Sequence, residues 1–351
     1  MSLPPSLNAA SASRQSLAEL GELAVLAKLR RYCSSAVGDD AFVQTLPADQ
    51  ALVVTTDVLI DGVHFSDRTL PPYALGWRAA AVNLSDLAAM GAEPVGITVA
   101  AALPPTTEWG WLDSVYQGMQ ACLGDYGGEI LGGDLARSAV RSFSITALGR
   151  VAPQGAMYRH SAQPGQAIVV TGYHGAARAG LAVLLDELAA APLDPALSRA
   201  WVAAHQYPTP RFDAIAQLSQ LAQAEVANSD YRNFNNFAGM DSSDGLANAV
   251  MQLCRASGVG AKIVRSQLPI PPGLSQAVGQ ITAEDWTLYG GEDFELVMCL
   301  PPQIANDLVT HLGGSSAVIG QTAAPPAIIL VENLADSGGE PLSRDREFQH
   351  F

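Results

Sequence analysis

The segment from Tyr73 to Met90 constrains the fold more than any other part of this sequence. Its residues are strongly helix-forming and almost all apolar, Gly91 follows as a C-terminal cap, and Pro94 lies beyond it. One carboxylate, Asp86, lies inside this predicted helix, and no lysine or arginine lies within one helical turn of it. Burying a carboxylate is costly unless a cation pairs with it. We therefore expect a metal ion beside Asp86, with an exposed polar stripe on the helix as the alternative.

The charge balance excludes several kinds of partner. The 351 residues carry a formal net charge of −15, whereas nucleic acids and anionic membranes favour a basic protein face. No nucleic-acid or membrane partner is therefore expected. Only Lys28 and Lys262 are lysines, so lysine chemistry is nearly unavailable. If this chain binds an anion, it needs some other means of holding it.

Length and composition predict globular domains in the cytoplasm. At roughly 100 to 200 residues per domain, the chain is long enough for about two. The 48% share of hydrophobic residues and 15% of charged residues are typical of globular proteins. The four cysteines are widely spaced without a CxxC pair, so we interpret them as reduced core thiols. No apolar run has the length of a signal core or a membrane span.

Strand and helix patterns alternate along the chain, which predicts an α/β fold. Ser16 and Glu19 form a capping-box pattern, and the apolar spacing after them predicts a helix that extends to Arg31. The β-branched run from Leu52 to Thr56 predicts a buried strand with Asp57 at its carboxyl end.

A linker rich in proline and glycine, residues 151–166, divides the chain into two predicted domains. The predicted organisation is a disordered tail over 1–15, an N-terminal domain over 16–152 and a C-terminal domain over 153–351. In the second domain, the polar and aromatic stretch 228–237 is predicted to be a surface loop.

Acidic residues recur in turns at the ends of apolar elements. Each one alone has an ordinary interpretation, because Asp is common in turns and at helix starts. Several of them close a strand, which is where α/β proteins form ligand sites. Two carboxylates that converge to ~4 Å repel each other by about 4 kcal/mol at an effective dielectric of about 20, and Mg²⁺ or Mn²⁺ offsets such repulsion. The turns are Asp39-Asp40, Asp57, Gly132-Gly133-Asp134, Asp241 with Asp244, and Glu292 with Asp293.

Other common phosphate- and calcium-binding motifs do not occur in the sequence. There is no G-x-x-x-x-G-K-[ST] loop, and the lysine, HRD and DFG motifs of protein kinases are missing. The stretch from Asp241 to Val250 lacks the ligand spacing of an EF-hand. A carboxylate-held metal remains, and Mg²⁺ bound in this way bridges protein carboxylates to substrate phosphates. The sequence therefore favours a nucleotide site.

Six acidic or glycine-rich motifs follow one another in order along the chain: Gly38-Asp-Asp-Ala, Thr55-Thr-Asp-Val-Leu-Ile-Asp-Gly-Val-His-Phe65, Asn83-Leu-Ser-Asp-Leu-Ala-Ala-Met-Gly-Ala-Glu-Pro94, Gly132-Gly-Asp, Asp241-Ser-Ser-Asp-Gly-Leu246 and Gly290-Gly-Glu-Asp-Phe-Glu-Leu296. With these motifs the chain resembles the thiamine-monophosphate kinase family. The resemblance extends from about Gly21 to Phe351, and the string from Asn83 to Pro94 is highly specific.

That resemblance implies transfer of the γ-phosphoryl group of ATP to thiamine monophosphate by direct in-line attack, without a side-chain nucleophile. The products are thiamine diphosphate and ADP, and the expected cofactors are several Mg²⁺ ions with ATP as co-substrate. The implied fold is the two-domain α/β fold of the superfamily that includes aminoimidazole ribonucleotide synthetase. The N-terminal domain binds ATP and magnesium, and the N-terminal domains of two subunits pair into a β-barrel across a homodimer.

The resemblance also assigns site residues by motif. The implied metal ligands are Asp40, Thr55, Thr56, Asp57, Asp86, Asp134, Asp241 and Asp244. The implied nucleotide contacts are Gly133, Asp134, Arg159 and Ser243. The implied substrate contacts are His64, Glu292 and Phe348. No role is assigned to Asp39, Asp61 and Asp293, which are expected only to shape their turns.

Some of these residues have plain structural alternatives. His64 fits a turn histidine in a solvated loop, Arg159 a surface charge, and Phe348 an aromatic side chain docked on the core. The competing functions are another ATP-dependent enzyme of the same superfamily and a non-catalytic nucleotide or metal sensor.

The motifs also depart from the usual family pattern at a few positions. Leu135 stands where a threonine is common, Ser242 where an apolar residue is common, and His160-Ser161 where Ser-Gly is expected. The stretch 228–237 resembles an insertion. No departure removes a carboxylate, so the expected reaction is unchanged.

Overall fold

The structure is a computed structural model that describes residues 14–35, 37, 41–188, 193–225, 234–325 and 327–343. Two predicted site residues, Asp40 and Phe348, lie outside these ranges, as do Asp39 and residues 228–233. The chain divides into two compact units. The first unit comprises 1–43, 56–80 and 96–146, and the second comprises 44–55, 81–95 and 147–351. The boundary between predicted domains at residue 152 stays a prediction.

The described residues form a mixture of α-helices and β-strands, which confirms the α/β prediction. The helices are α1 (Leu17–Leu20), α2 (Glu22–Leu29), α3 (Pro72–Ala89), α4 (Trp109–Tyr126), α5 (Ala176–Leu184), α6 (Pro195–Gln206), α7 (Phe212–Glu225), α8 (Leu246–Ser257), α9 (Leu274–Val278), α10 (Gln280–Tyr289) and α11 (Pro302–Leu312). The strands are β1 (Ala51–Ile60), β2 (Glu93–Leu103), β3 (Glu129–Arg137), β4 (Ser142–Val151), β5 (Ala167–Val170), β6 (Ala238–Asp241), β7 (Gly260–Val264), β8 (Leu296–Leu300), β9 (Ala317–Ala323), β10 (Ile328–Val331) and β11 (Glu340–Pro341).

The predicted N-terminal capping box is present. Ser16 accepts a hydrogen bond from the backbone of Glu19, and the Glu19 carboxylate accepts from the backbone of Ser16 in return. The prediction of one helix up to Arg31 was wrong, because Gly21 has a φ of +80° and separates α1 from α2. A left-handed φ cannot continue a right-handed helix.

A seven-stranded sheet forms the core of the second unit, with the order β11-β10-β7-β9-β5-β8-β6. All four residues of β5 are buried, because both faces of the sheet are covered. On one face, Ile168 and Val170 belong to the hydrophobic cluster that contains the apolar residues of α8. On the other face, Val169 belongs to the cluster formed by α7 and α11. The unit therefore has three layers, with the sheet in the middle.

The predicted surface loop 228–237 is described over 234–237, where Asn235 and Asn236 are exposed but Phe234 and Phe237 are buried. Phe234 and Phe237 belong to the same cluster as α7 and α11, and their ring centroids are 5.4 Å apart. The prediction was wrong for these two residues, because the polar neighbours concealed a pair of core aromatics.

A second sheet has four strands in the order β1-β4-β2-β3, with β2 and β3 parallel. Two sequence predictions about residues of this sheet were wrong. The predicted turn Gly132-Gly133-Asp134 lies inside β3, where Gly133 pairs with Val99. Asp57 lies within β1 and not at its carboxyl end, because the β-branched pattern continues through Val58 to Ile60.

In the first unit, α4 and the beginning of α3 approach each other closely. A Cβ atom on Gly118 would lie 2.0 Å from the backbone oxygen of Tyr73, and one on Gly76 would lie 1.8 Å from that of Val115. Glycine at both positions therefore permits a helix contact that any side chain would prevent.

The remaining general predictions concern cysteines and membranes. All four cysteines are free; Cys122, Cys254 and Cys299 are buried, and Cys33 is half-buried. Among the described residues, no helix combines the length and apolar character needed to cross a bilayer.

The close helix contact yields a prediction about stability. Gly118→Ala forces α3 and α4 apart, so we expect it to lower the free energy of unfolding by about 1–3 kcal/mol. Gly124→Ala is the matched control, because Gly124 lies on the same helix and a Cβ atom there would have no neighbour within 4 Å. It is expected to be neutral or to stabilise by about 0.5–1 kcal/mol. Urea unfolding of the two variants measures the difference, and equal stabilities would contradict the close contact.

Candidate functional site

Three turns meet at one edge of the seven-stranded sheet. Strands β5 and β6 both run antiparallel to β8, which lies between them, with Val170 opposite Val297 and Asp241 opposite Leu296. The carboxyl ends of β5 and β6 therefore lie beside the amino end of β8. We call the segments at this edge the β5 turn (171–175), the β6 turn (241–245) and the β8 turn (290–295).

Backbone hydrogen bonds connect the β6 turn to the β8 turn. The amide of Glu292 donates to the carbonyl of Ser243 over 2.7 Å, and the amide of Ser242 donates to the carbonyl of Glu295 over 2.8 Å. Glu292 has a φ of +62°, which is uncommon for a residue other than glycine. The β6 turn, with Asp241 and Asp244, is therefore hydrogen-bonded through its backbone to the β8 turn, with Glu292 and Asp293.

Asp241 is a buried carboxylate at the end of β6, with 3% of its surface exposed. Ser85 of α3 donates to its Oδ2 atom over 2.9 Å, and Ser243 donates to its Oδ1 atom over 3.0 Å. The pKa of Asp241 is raised to about 7, first by burial and then by the nearby charge of Asp86, while the hydrogen bonds from Ser85 and Ser243 oppose the shift.

Asp86 is the half-buried carboxylate of an otherwise buried helix segment, so the exposed-stripe alternative does not describe it. The Thr55 hydroxyl donates to its Oδ2 atom. Burial raises the pKa of Asp86, whereas the Thr55 hydrogen bond and the charge of Arg159 lower it and the charge of Asp244 raises it. Asp86, Thr55, Arg159 and Asp244 all belong to the second unit.

This arrangement fits a hard divalent cation. Burial and mutual repulsion disfavour two charged carboxylates at Asp86 and Asp241, and a cation between oxygen ligands removes both costs. The donors here are carboxylates and hydroxyls, and Mg²⁺ characteristically uses one or two carboxylates together with water and substrate phosphates. Within the described ranges, no group of three or more His, Cys, Asp or Glu side chains is arranged to hold a metal by itself.

The other predicted nucleotide and metal residues of the second unit surround the β6 turn. Ser243 is half-buried and Asp244 is exposed. Arg159 lies in a 3-10 turn over Arg159–Ser161, is exposed, and donates from its guanidinium to Gln252 over 2.7 Å. Its charge acts on Asp86, so it is more than an isolated surface charge.

Glu292, a predicted substrate contact, lies in the β8 turn beside a buried histidine. Its Oε2 atom is 3.6 Å from Nδ1 of His205 on α6. The side chain of His205 is 3% exposed and that of Glu292 is 37% exposed. The Glu292 carboxylate therefore lies next to a buried side chain and is also open to solvent.

Asp293, which had no assigned role, joins the β8 turn to the start of α5. Its carboxylate accepts from the amides of Gly175 and Ala177 over 2.7 and 2.9 Å. Burial raises the pKa of Asp293 to about 7, and the two amide hydrogen bonds oppose the shift. Asp293 shapes its turn, as expected.

In the first unit, the loop after β1 carries His64. The amide of Ile60 donates to Nδ1 of His64 over 3.1 Å, so the ring proton of the neutral imidazole lies on Nε2. Arg141 holds the same loop, because it bonds to Asp61 over 2.7 Å and to Asp67 over 2.8 Å and lies 4.7 Å from the Trp111 ring. Asp61 is therefore a structural residue of this loop.

The remaining predicted metal and nucleotide residues lie on strands of the four-stranded sheet. In β1, Thr55 and Asp57 are half-buried on one face, while the Thr56 side chain points to the other face and donates to the Ile145 carbonyl over 2.9 Å. Asp134 and Gly133 are exposed on β3. Asp57 and Asp134 belong to the first unit.

The structure thus brings Thr55, Asp86, Asp241, Ser243 and Asp244 together in the second unit. It adds residues that the sequence analysis missed. Ser85 could have been identified from its place directly before Asp86 in the most specific motif. His205 has no motif around it, so nothing in the sequence connects it with Glu292.

Comparison with known proteins gives consistent results. The family model described as AIR synthase related protein, N-terminal domain, matches residues 38–151. The chain is 48% identical over 340 residues to a thiamine-monophosphate kinase from Synechococcus elongatus, covering 97% of this chain and 99% of that protein. A solved thiamine-monophosphate kinase from Stenotrophomonas maltophilia has a TM-score of 0.75 at 31% identity, covering 89% of this chain and 96% of the other. AaThiL complexed with AMPPCP and TMP has a TM-score of 0.70 at 27% identity, covering 96% and 99%.

The buried carboxylate of Asp293 predicts a pH dependence of stability. The folded protein keeps this proton up to about pH 7, whereas the unfolded chain loses it near pH 4, so stability falls as the pH rises between these values. Asp293→Asn removes that contribution. We expect its free energy of unfolding, relative to the unchanged protein, to rise by up to about 1.4 kcal/mol for each pH unit in this window.

Chemical denaturation at several pH values between 4.5 and 8, roughly the window set by the two pKa values, measures this effect. Asp307→Asn on the exposed face of α11 is the control. A stability difference between Asp293→Asn and the unchanged protein that stays constant with pH would contradict the raised pKa.

Proposed function

The chain belongs to the thiamine-monophosphate kinase family, and we propose that it uses ATP and Mg²⁺ to convert thiamine monophosphate into thiamine diphosphate. It is an enzyme, a phosphotransferase whose acceptor is itself a phosphate group, and it acts in thiamine diphosphate biosynthesis. AMPPCP is an ATP analogue, so the AaThiL complex with AMPPCP and TMP supports ATP as the donor and thiamine monophosphate as the acceptor.

The observation that carries the magnesium proposal is the pairing of Asp86 with Asp241. Asp241 is buried and Asp86 is half-buried, and hydroxyls of Thr55, Ser85 and Ser243 donate to their carboxylate oxygens. We assign Asp86, Asp241 and Asp244 as magnesium ligands from the second unit. The ligands proposed from the family resemblance alone are Asp40, Thr55, Thr56, Asp57 and Asp134.

Bound magnesium would supply neutralisation of charge on the phosphate oxygens, which is the main requirement of phosphoryl transfer. The chain's own residues then position the reactants. The proposed nucleotide contacts are Arg159, Ser243, Gly133 and Asp134. No side chain acts as a nucleophile, because the phosphate of thiamine monophosphate attacks the γ-phosphorus directly.

The acceptor side is proposed to involve His64, Glu292 and Phe348. His64 donates from Nε2, because its Nδ1 atom is occupied by the Ile60 amide. Glu292 offers a carboxylate acceptor, which suits either the amino group or the positive ring of thiamine. Its backbone is left-handed, and its Oε2 atom lies 3.6 Å from Nδ1 of the buried His205.

The test of this function uses purified protein with ATP, MgCl₂ and thiamine monophosphate. We expect thiamine diphosphate and ADP in equal amounts, no product after EDTA, and recovery on adding excess Mg²⁺. Asp86→Asn and Asp241→Asn remove a ligand charge but keep the shape, so turnover is expected to fall by about 10²-fold or more.

Chromatographic quantification of thiamine diphosphate measures the loss, and thermal melting checks that the variants fold. Asp307→Asn, a surface change on α11, is the control and should keep normal activity. Near-normal turnover of both Asp86→Asn and Asp241→Asn would exclude the metal assignment. ATP binding without any thiamine diphosphate would exclude the kinase activity of the purified protein.

We also propose that the chain forms a homodimer through β1. This strand lies at the edge of the four-stranded sheet and exposes alternate residues, with Leu52 at 49%, Val54 at 57% and Val58 at 47% exposure. An apolar stripe on an edge strand is a common pairing surface. The finer architecture, a β-barrel shared by two N-terminal domains, is part of the same proposal.

The dimer proposal predicts that charges on this stripe separate the subunits. Val54→Glu combined with Val58→Glu places two carboxylates opposite apolar residues of the partner, so the measured mass should fall from dimer to monomer. Light scattering after size exclusion measures the mass. Ile281→Glu is the control, because Ile281 is 85% exposed on α10. A monomeric unchanged protein, or a dimer that survives both charges, would overturn the assignment.

A further inference from the structure

A buried histidine joins two of the three turns at the site edge. His174 lies in the β5 turn and has no exposed surface, and Ser242 of the β6 turn is 1% exposed. The Nε2 atom of His174 is 3.0 Å from the Ser242 hydroxyl, and its Nδ1 atom is 3.1 Å from the carbonyl oxygen of Gly172. A side-chain bond therefore connects the β5 turn with the turn that carries Asp241.

The direction of these hydrogen bonds follows from the partners. A carbonyl oxygen only accepts, so Nδ1 of His174 carries the proton that bonds to Gly172. In the neutral ring, Nε2 is then an acceptor, and the Ser242 hydroxyl donates to it. Burial lowers the pKa of His174 to about 4, which is consistent with a neutral ring. Both polar groups are thus satisfied in one arrangement.

Backbone contacts extend this link to the third turn. The amide of Ser242 donates to Glu295, and the carbonyl of Ser243 accepts from Glu292. The carboxylate of Asp293 accepts from the amide of Gly175, the residue after His174. Each of the three turns therefore contacts the other two. The hydrogen bond between His174 and Ser242 connects the β5 turn with the β6 turn.

We propose that His174 is a positioning residue that, through Ser242, fixes the β6 turn and with it the directions of Asp241 and Asp244. This inference rests on the proposed function, in which those two aspartates hold magnesium. His174 does not touch the reactants. His174 acts on the position of the proposed ligands. Mg²⁺ requires near-ideal octahedral geometry, so it binds more weakly when these ligands are displaced.

The chemistry of Ser242 makes this link necessary in this chain. Ser242 follows Asp241 directly in the chain and is buried. A buried hydroxyl without a partner is unfavourable, so loss of the histidine acceptor drives the hydroxyl to another acceptor or admits water. Either response displaces the backbone next to the metal ligand.

A double-mutant cycle tests the proposal. The variants are His174→Leu, Ser242→Ala and the combination of both. The measured quantities are the free Mg²⁺ concentration that gives half-maximal activity and the Mn²⁺ concentration that half-saturates the protein without nucleotide. His174→Leu leaves a buried hydroxyl without its acceptor, so we expect both concentrations to rise on the order of tenfold. Ser242→Ala should cause a smaller rise, because the remaining group is a single imidazole nitrogen.

The double variant is expected to return to within about twofold of the unchanged protein, because replacing both partners by apolar groups leaves no unsatisfied polar atom in the β6 turn. The Gly172 carbonyl also loses its donor in this variant, but it belongs to the β5 turn. Leu308→Ala is the stability control, since Leu308 is buried on α11 and belongs to the opposite face of the sheet. It should lower the melting temperature without changing the Mg²⁺ requirement.

Each outcome decides the proposal. A raised Mg²⁺ requirement in the single variants, with recovery in the double variant, supports it. A lower melting temperature with an unchanged Mg²⁺ requirement, as in Leu308→Ala, overturns it and leaves His174 a structural residue. If His174→Leu does not fold, Ser242→Ala decides in the same way. An unchanged protein that needs no Mg²⁺ overturns the proposed function together with this inference.

Discussion

The repulsion between Asp86 and Asp241 is the interaction on which the arrangement of the second unit depends. Burial disfavours charge on both carboxylates, and the charge of Asp86 adds to the shift at Asp241. The fold nevertheless holds them together, because Ser85 of α3 hydrogen-bonds directly to Asp241 at the end of β6. A pair of this kind must share a proton or a cation. A bound cation would explain why α3 carries the carboxylate of Asp86 among buried apolar residues.

The three turns show how the fold supports that pair. Because β8 lies between β5 and β6, the ends of three strands are adjacent and the turns contact each other without a long connection. The proposed metal ligands Asp241 and Asp244 lie in a turn that backbone hydrogen bonds connect to the β8 turn. Glu292 adopts a backbone conformation that costs on the order of 1–3 kcal/mol, and such strain persists only where surrounding contacts hold it. The proposed substrate contact Glu292 therefore lies on a backbone that its neighbours hold in place.

The sequence predicted those parts of the site that depend on local pattern. The helix that carries Asp86 was predicted over Tyr73 to Met90 and is found as Pro72–Ala89, because apolar spacing and a glycine cap are both local signals. The capping box at Ser16 was predicted for the same reason.

Features that depend on tertiary contact were not accessible in this way. A strand was mistaken for a turn at Gly133, because a glycine needed for close packing against Val99 resembles a turn glycine in sequence. His174 and His205 were missed, since their partners Ser242 and Glu292 lie far away along the chain and only the fold brings them together. The motifs contain the aspartates and the hydroxyl residues that bond to them, but not the two histidines.

The central claim is that Asp86 and Asp241 act as one divalent-cation site, and Mn²⁺ binding measured by electron paramagnetic resonance tests it most directly. Mn²⁺ takes the same oxygen ligands as Mg²⁺, and the signal of the free ion disappears on binding. The titration compares the unchanged protein with Asp86→Asn, Asp241→Asn and the double variant, each without nucleotide, because the phosphates of AMPPCP bind Mn²⁺ themselves. The account predicts that either single change removes the same bound ion and that the double change removes no more. Full Mn²⁺ binding in both single variants would contradict it.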